Sequence, residues 1–196
     1  LGATASLEKA IELFRATRSA EDEVMAVTLL SFVTLRLGDP RRAAALADDA
    51  LDVARALGDD RSSVLALMAV GDVAWVEGDF ERAIAHYEEA VTLSRRTEDA
   101  LVIVNAVYNL GMAAFQGARL DRAREAFEEA LARARELDDS PHIAAAQFML
   151  AHLDLRDGRA ESAGERASES LRRYADLEDR RSCARCLVLL AAAALE

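Results

Sequence analysis

Proline is nearly missing from this chain, with only Pro40 and Pro141 among 196 residues. Glycine adds just nine more residues, so a collagen-like or Pro/Gly-rich disordered chain is excluded and long helices meet few breakers. Period-two runs of β-branched residues are also missing, which excludes a sheet. The only cysteines are Cys183 and Cys186, too few for a disulfide framework and in keeping with a reducing cytoplasm. They form a C-x-x-C pair inside an apolar helical pattern. No second Cys or His pair stands at zinc-ligand spacing, so both read as small buried hydrophobes and no metal is expected. The longest apolar run, "CLVLLAAAAL", is ten residues, about half of a bilayer span. No signal-peptide pattern is visible, and no membrane partner is expected. Lysine occurs once, as Lys9, and 24 basic residues are dispersed among 35 acidic ones for a net charge of −11. Without a basic block the chain is a poor polyanion binder, so no direct nucleic-acid partner is expected.

What the chain does have is alanine, arginine and a period. With Ala83 as anchor, Ala43, Ala123 and Ala163 recur at a spacing of 40. Seven residues on lie Ala50, Ala90, Ala130 and Ser170, followed by Leu51, Val91, Leu131 and Leu171. Twelve residues before the anchors lie Ser31, Gly71, Gly111 and Ala151, and a turn slot holds Gly38, Gly78, Ala118 and Gly158. Four columns in one register over four copies, with no insertion, mark a repeat.

Each copy holds two helical patterns with apolar residues at i, i+3, i+4 and i+7, such as Arg61 to Glu77 and Phe80 to Arg96. A glycine in the turn slot suits a left-handed C-terminal residue. Asp39 and Ser140 read as N-caps, each with proline at the first helical position. The small columns imply close helix contacts, with Gly71 and Gly111 facing Ala83 and Ala123, and Tyr87 and Phe127 filling the space one turn along. The small-residue columns are therefore expected to be buried. Full copies span 21–59, 60–99, 100–139 and 140–179. A half repeat at 1–20 is a second helix without its first, and a half repeat at 180–196 is a first helix without its second. The expected total is nine helices in one array, 1–196. The start at Leu1 without methionine suggests a piece of a longer protein. Leu7, Ile11 and Phe14 at one end, with Leu187, Leu190 and Ala191 at the other, are expected to be bare and to promote self-association.

The pattern resembles the tetratricopeptide repeat family. Leu110, Gly111, Ala123, Phe127 and Ala130 match its W-x2-L-G-x2-Y…A-x3-F signature, as do Val70, Gly71, Ala83, Tyr87 and Ala90. Val107 and Leu67 replace the tryptophan, Ala114 and Ala74 the tyrosine, and the closing proline is missing. The 40-residue period lengthens both helices to about 17 residues, or roughly 25 Å. The resemblance implies an all-α, right-handed α-solenoid of antiparallel helix pairs whose first helices line the concave face.

On that face the columns run Thr28, Met68, Tyr108, Phe148; then Phe32, Asp72, Met112, His152; then Leu35, Trp75, Phe115, Leu155. Beside them run Met25, Leu65, Asn105, Ala145 and Leu29, Ala69, Asn109, Met149. The candidate groove is Met68, Asp72, Asn105, Tyr108, Asn109, Met112, Phe148 and His152. Its apolar surface with a few polar points suits a peptide or protein segment. Asn105 and Asn109 lie one turn apart, where each amide either pairs with a peptide backbone or is an ordinary exposed amide. The carboxylate clamp of some family members needs lysine, and this groove supplies only Asn109. Trp75 and Phe115 read as packing between first helices.

No Gly-rich phosphate loop, nucleophile elbow or carboxylate pair appears, and no cofactor is implied, so the chain is not read as an enzyme. It reads as a non-catalytic interaction module. The Arg- and Ala-rich 40-residue copies with "GDFERA" and "RELDD" turns also resemble the effector-sensing or oligomerisation regions of large bacterial ATP-binding transcriptional regulators.

Overall fold

The computed structural model describes residues 2–97 and 99–196. Its helices are α1 (Gly2–Thr17), α2 (Ala20–Arg36), α3 (Pro40–Leu57), α4 (Asp60–Glu77), α5 (Phe80–Ser94), α6 (Ala100–Gln116), α7 (Leu120–Glu136), α8 (Ser140–Arg156), α9 (Ala160–Asp176) and α10 (Arg180–Ala193). Among the described residues ten helices therefore replace the expected nine. The four full copies supply eight, and each half repeat adds one of its own. No strand occurs among the described residues.

The turns explain the regularity. Among the described residues, positive φ occurs at Arg18, Gly38, Gly58, Gly78, Ala118, Asp138, Gly158 and Glu178. Every one of these positions is a multiple of 20 from the next, so the backbone repeats at half the sequence period. The residue after each left-handed position is the N-cap of the next helix. Asp39, Asp59, Asp79, Asp99, Asp139 and Asp179 cap α3, α4, α5, α6, α8 and α10, each accepting from a backbone N–H of the first turn. One left-handed residue and one aspartate thus reverse the chain with little loop to order. The cap of α8 is Asp139 and not Ser140, so Pro141 sits one place further into the first turn, where its missing N–H is still harmless.

In the turn slot Ala118 holds φ 57°, a conformation that costs an L-residue roughly 1–2 kcal/mol and glycine nothing. Ala118→Gly is expected to raise stability by about 0.5–1 kcal/mol, seen as a higher midpoint in urea. An unchanged or lower midpoint would show that the turn is not strained.

The chain divides into two compact units, Leu1–Gly117 and Ala118–Glu196. In the first, α2 packs on α1 and α3, α4 on α3 and α5, and α6 on α5; the first helices α2, α4 and α6 also meet in sequence. In the second, α8 packs on α7 and α9, and α10 on α9 and α8. The anchor alanines Ala43, Ala83, Ala123 and Ala163 are all buried, as are Ala50, Ala90, Ala130 and Ser170. Ser31, Gly71, Gly111 and Ala151 are buried too, whereas the turn slot lies in solvent. At Gly71 the near neighbour is not Ala83. A Cβ there would stand 2.7 Å from Tyr87 Cε1, so the aromatic ring packs against a bare stretch of α4.

The terminal helices are less bare than expected, because their apolar residues pack on the neighbouring helix. Ile11 is buried, while Leu7 and Phe14 are half-buried. On α10, Leu187 and Ala191 are exposed and Leu190 is half-buried.

Candidate functional site

The second helices turn charged faces outward and tie them together. Arg15 reaches Asp49 at 3.0 Å, Arg55 reaches Glu89 at 3.2 Å and Arg135 reaches Glu169 at 3.3 Å. Each pair joins consecutive second helices at the same separation of 34 residues. All of these side chains but the half-buried Glu169 are exposed, so each pair contributes at most about 1 kcal/mol. A cleft of about 480 Å³ over α3, α4 and α5 is rimmed by Asp48, Asp52, Arg55, Glu77, Arg82 and His86. Its arginines are already bridged, Arg82 to Glu77 and Arg55 to Glu89.

The first helices of the same unit are different in kind. α6 contains no charged residue at all. Between α2 and α4 lies a cleft of about 330 Å³ lined by Met25, Thr28, Leu29, Ser31, Phe32, Leu35, Arg61, Leu65, Met68, Ala69 and Asp72. Met25, Leu29 and Phe32 stay 48%, 49% and 49% exposed. These three side chains have no place in the core, because α2 presents them at i, i+4 and i+7 away from α3. They leave a contiguous apolar surface open beside the cleft.

Of the candidate groove residues, Met68 and Asp72 belong to this cleft. Asn105, Tyr108, Asn109 and Met112 are half-buried along α6. The Asn105 amide donates to Leu101 O at 2.9 Å, so part of its hydrogen-bonding capacity is used within its own helix. Asp72 accepts from the Tyr87 hydroxyl at 2.6 Å. Burial pushes the Asp72 carboxyl above its usual range, with the Tyr87 hydrogen bond pulling the other way. Tyr87 is pushed well above its own, by burial and then by the Asp72 charge.

Phe148 and His152 belong to the second unit. Phe148 is buried, His152 meets it edge-on with ring centroids 5.0 Å apart, and the Arg185 guanidinium lies 4.4 Å over its face. Burial, and then the Arg185 charge, lower the His152 pKa. Reading the sequence by columns missed Arg185, although it continues the column of Met25, Leu65, Asn105 and Ala145. It also ranked the α2 residues below those of α6 and α8, because exposure cannot be read from periodicity.

The second unit also holds a buried ionic cluster. Asp154, with 2% of its side chain exposed, accepts from Arg124 at 2.8 Å, Arg159 at 2.7 Å, Ser162 at 2.7 Å and Arg166 at 2.9 Å. Burial alone would raise its carboxyl, but hydrogen bonds from Arg159, Ser162 and Arg124 hold it at about 2. Arg166 also donates to Gln147 at 3.0 Å, and Gln147 donates to Glu169. Cys186 is buried beside Ser170, and burial pushes its thiol up; Cys183 is half-buried. Among the described residues no group of three or more His, Cys, Asp or Glu is placed to hold a metal ion. Among them, too, no helix is long and apolar enough to cross a membrane.

Comparison with known proteins places this geometry. A family model described as "Tetratricopeptide repeat" matches residues 22–96, 62–136 and 102–176. No curated protein matches the sequence. Among solved structures, BtubC (BKLC) from P. vanneervenii is similar at 20% identity and a TM-score of 0.84, covering 97% of this chain and 81% of that one. A Rap protein complexed with competence and sporulation factor is similar at 18% identity and a TM-score of 0.70, covering 97% of this chain and 57% of the other. A Signal Transduction ATPase with Numerous Domains with a tetratricopeptide repeat sensor, from Pyrococcus horikoshii, is similar at 12% identity and a TM-score of 0.81. It is matched over 95% of this chain but only 30% of its own length. At these identities the likeness concerns the fold.

Proposed function

This chain belongs to the tetratricopeptide repeat family, and from that premise we propose that it binds a peptide or protein segment on the face formed by its first helices. A repeat fold of this kind is an interaction scaffold. The observation that carries the finer reading is the α2–α4 cleft, where Met25, Leu29 and Phe32 remain half exposed beside Met68 and Leu65. Methionine and aromatic side chains adapt to an incoming apolar anchor, and the uncharged face of α6 offers Tyr108, Asn109 and Met112 in the same registers. Asn105 contributes less, because its amide is partly used by Leu101. In the second unit Phe148 is buried beside His152 and under Arg185, so this pair of candidate residues offers less open surface. The second-helix surface is a poorer candidate, since its charges are matched to one another.

Display of random peptides against the whole chain tests this. Enriched peptides should lose about tenfold in affinity with Phe32→Ala, the effect of uncovering one apolar anchor. Asn109→Ala should cost about 1 kcal/mol of binding with the melting point unchanged. Protection from exchange that maps instead to Glu88–Arg95 on the second-helix side would overturn the proposal.

A second reading is that the chain is the sensor region of a larger bacterial regulator. It draws support from the similar structure that carries a tetratricopeptide repeat sensor on an ATPase. An ATP-binding domain on the same polypeptide would favour it, and the face that receives the effector would be the same.

A further inference from the structure

In the wall of the α2–α4 cleft, among Leu29, Phe32, Leu65 and Met68, stands one carboxylate, Asp72. Its position in the repeat does not call for an acid. The same register carries Phe32, Met112 and His152 in the other copies. The register of Tyr87 carries Ala47, Phe127 and Ala167. Only the second copy combines an acid with a hydroxyl, and there the hydroxyl holds the acid at 2.6 Å. An apolar pair would pack these helices as well and would spare the burial of a charge.

The carboxylate is also left without a cation. Among the described residues its partner is the Tyr87 hydroxyl, and no ion pair reaches it. Arg61, the one basic residue lining the cleft, is bridged to Asp99 at 3.3 Å. Burial disfavours the ionised form, so a donor arriving with positive charge would gain a charge-assisted bond in a partly dry setting. The open apolar side chains beside it fix what must accompany that charge.

We propose that the α2–α4 cleft recognises a protein segment in which a lysine or arginine neighbours an apolar residue, the cation pairing with Asp72 and the apolar side chain seating against Phe32 and Met68. The inference rests on the first-helix face being the peptide site. It adds the chemistry of the peptide. Tyr87 acts as a positioning residue, holding one carboxylate oxygen so that the group meets the ligand in a fixed orientation. The excess of acid over base in the chain, at a net charge of −11, favours approach of such a segment as well.

The test uses three pools of short fluorescent peptides with the same apolar residues and one varied position, occupied by Lys or Arg, by Gln, or by Glu. Each is titrated against the whole chain. Trp75 is the single tryptophan and lies one turn beyond Asp72 on α4, so its emission reports occupancy of this region independently. The basic pool is expected to bind about tenfold tighter than the Gln pool, with the Glu pool weakest. Asp72→Asn keeps the shape and an acceptor for Tyr87, and should reduce that preference to less than about twofold. Should Asp72→Asn melt early, Asp72→Met, the residue found at position 112, provides the same comparison.

Equal binding of all pools, lost with Phe32→Ala but untouched by Asp72→Asn, would overturn the cation and leave the peptide site standing. Absence of binding in every pool, or binding indifferent to both substitutions, would overturn the site itself.

Discussion

Asp154→Ala is expected to lose about 3–5 kcal/mol of stability, because it leaves Arg124, Arg159 and Arg166 facing one another without their shared acceptor. In a chain of this size that is a fall of roughly 10 °C in melting temperature. Hydrogen exchange should place the loss in α7, α8 and α9. The repeat does not require an acid at this position, however. The same register is Thr34, Ala74 and Ala114 in the other copies, and the registers of Gln147 and Arg166 hold Val27, Leu67, Val107 and Leu46, His86, Ala126. Replacing the buried members together, with Arg124→Ile, Gln147→Val, Asp154→Ala and Arg166→Ala, should recover most of what Asp154→Ala loses, since the buried charges and their desolvation leave together while the half-exposed Arg159 keeps Asp157. A multiple variant less stable than Asp154→Ala would refute this account.

The pH dependence has a definite sign. The folded Asp154 carboxyl is held at about 2, below the ordinary aspartate value of about 3.9 in the unfolded chain. Its contribution, on the order of 2–3 kcal/mol, is therefore fully present above about pH 4. It is lost as pH falls toward about 2, and Asp154→Ala should flatten the acid limb of the stability curve. Asp72 has the opposite sign. Its carboxyl is raised by burial, so ionising it costs stability, and Asp72→Asn should melt no lower than the parent at pH 7. The cationic partner proposed for Asp72 would offset that cost.

Gly71→Leu carries the other large effect. A Cβ at position 71 would already be 2.7 Å from Tyr87 Cε1 and 2.9 Å from Cζ. The ring is buried and its hydroxyl is tied to Asp72, so it has nowhere to move without breaking that bond. Overpacking of this kind costs about 1–3 kcal/mol, and the further atoms of leucine place it at the upper end. Pairing Gly71→Ala with Tyr87→Leu should relieve part of the clash, giving a favourable coupling in a double-mutant cycle. Strict additivity would mean that the glycine is there for a reason other than this ring.

Much of the architecture lies in local signals. The 40-residue columns, the turn slot at Gly38, Gly78, Ala118 and Gly158, and the aspartates at Asp59, Asp99, Asp139 and Asp179 all act within a few residues of themselves. Helix propensity, a left-handed C-terminal residue and a side-chain cap are contiguous in the chain, so their outcome can be read along it. The two helices of each copy, the single helix of each half repeat and the burial of the Ala43, Ala50 and Ser31 columns follow from that reading, whereas the turn slot lies in solvent.

Partnership across helices is another matter. That Gly71 meets the Tyr87 ring, that Tyr87 reaches Asp72, and that Asp154 gathers arginines from α7 and α9 depend on side-chain directions and on which helices become neighbours. No spacing within one helix encodes these contacts. The site was legible to the same degree. The column register placed Met68 and Asp72 on one face, but only packing decided that Met25, Leu29 and Phe32 stay open while Phe148 is covered. The sequence by itself determined where the chain turns and which residues share a face, because those are short-range properties of the backbone. Only the tertiary structure decided which of those faces is closed by a neighbour and which stays open, because burial is a property of the assembled helices.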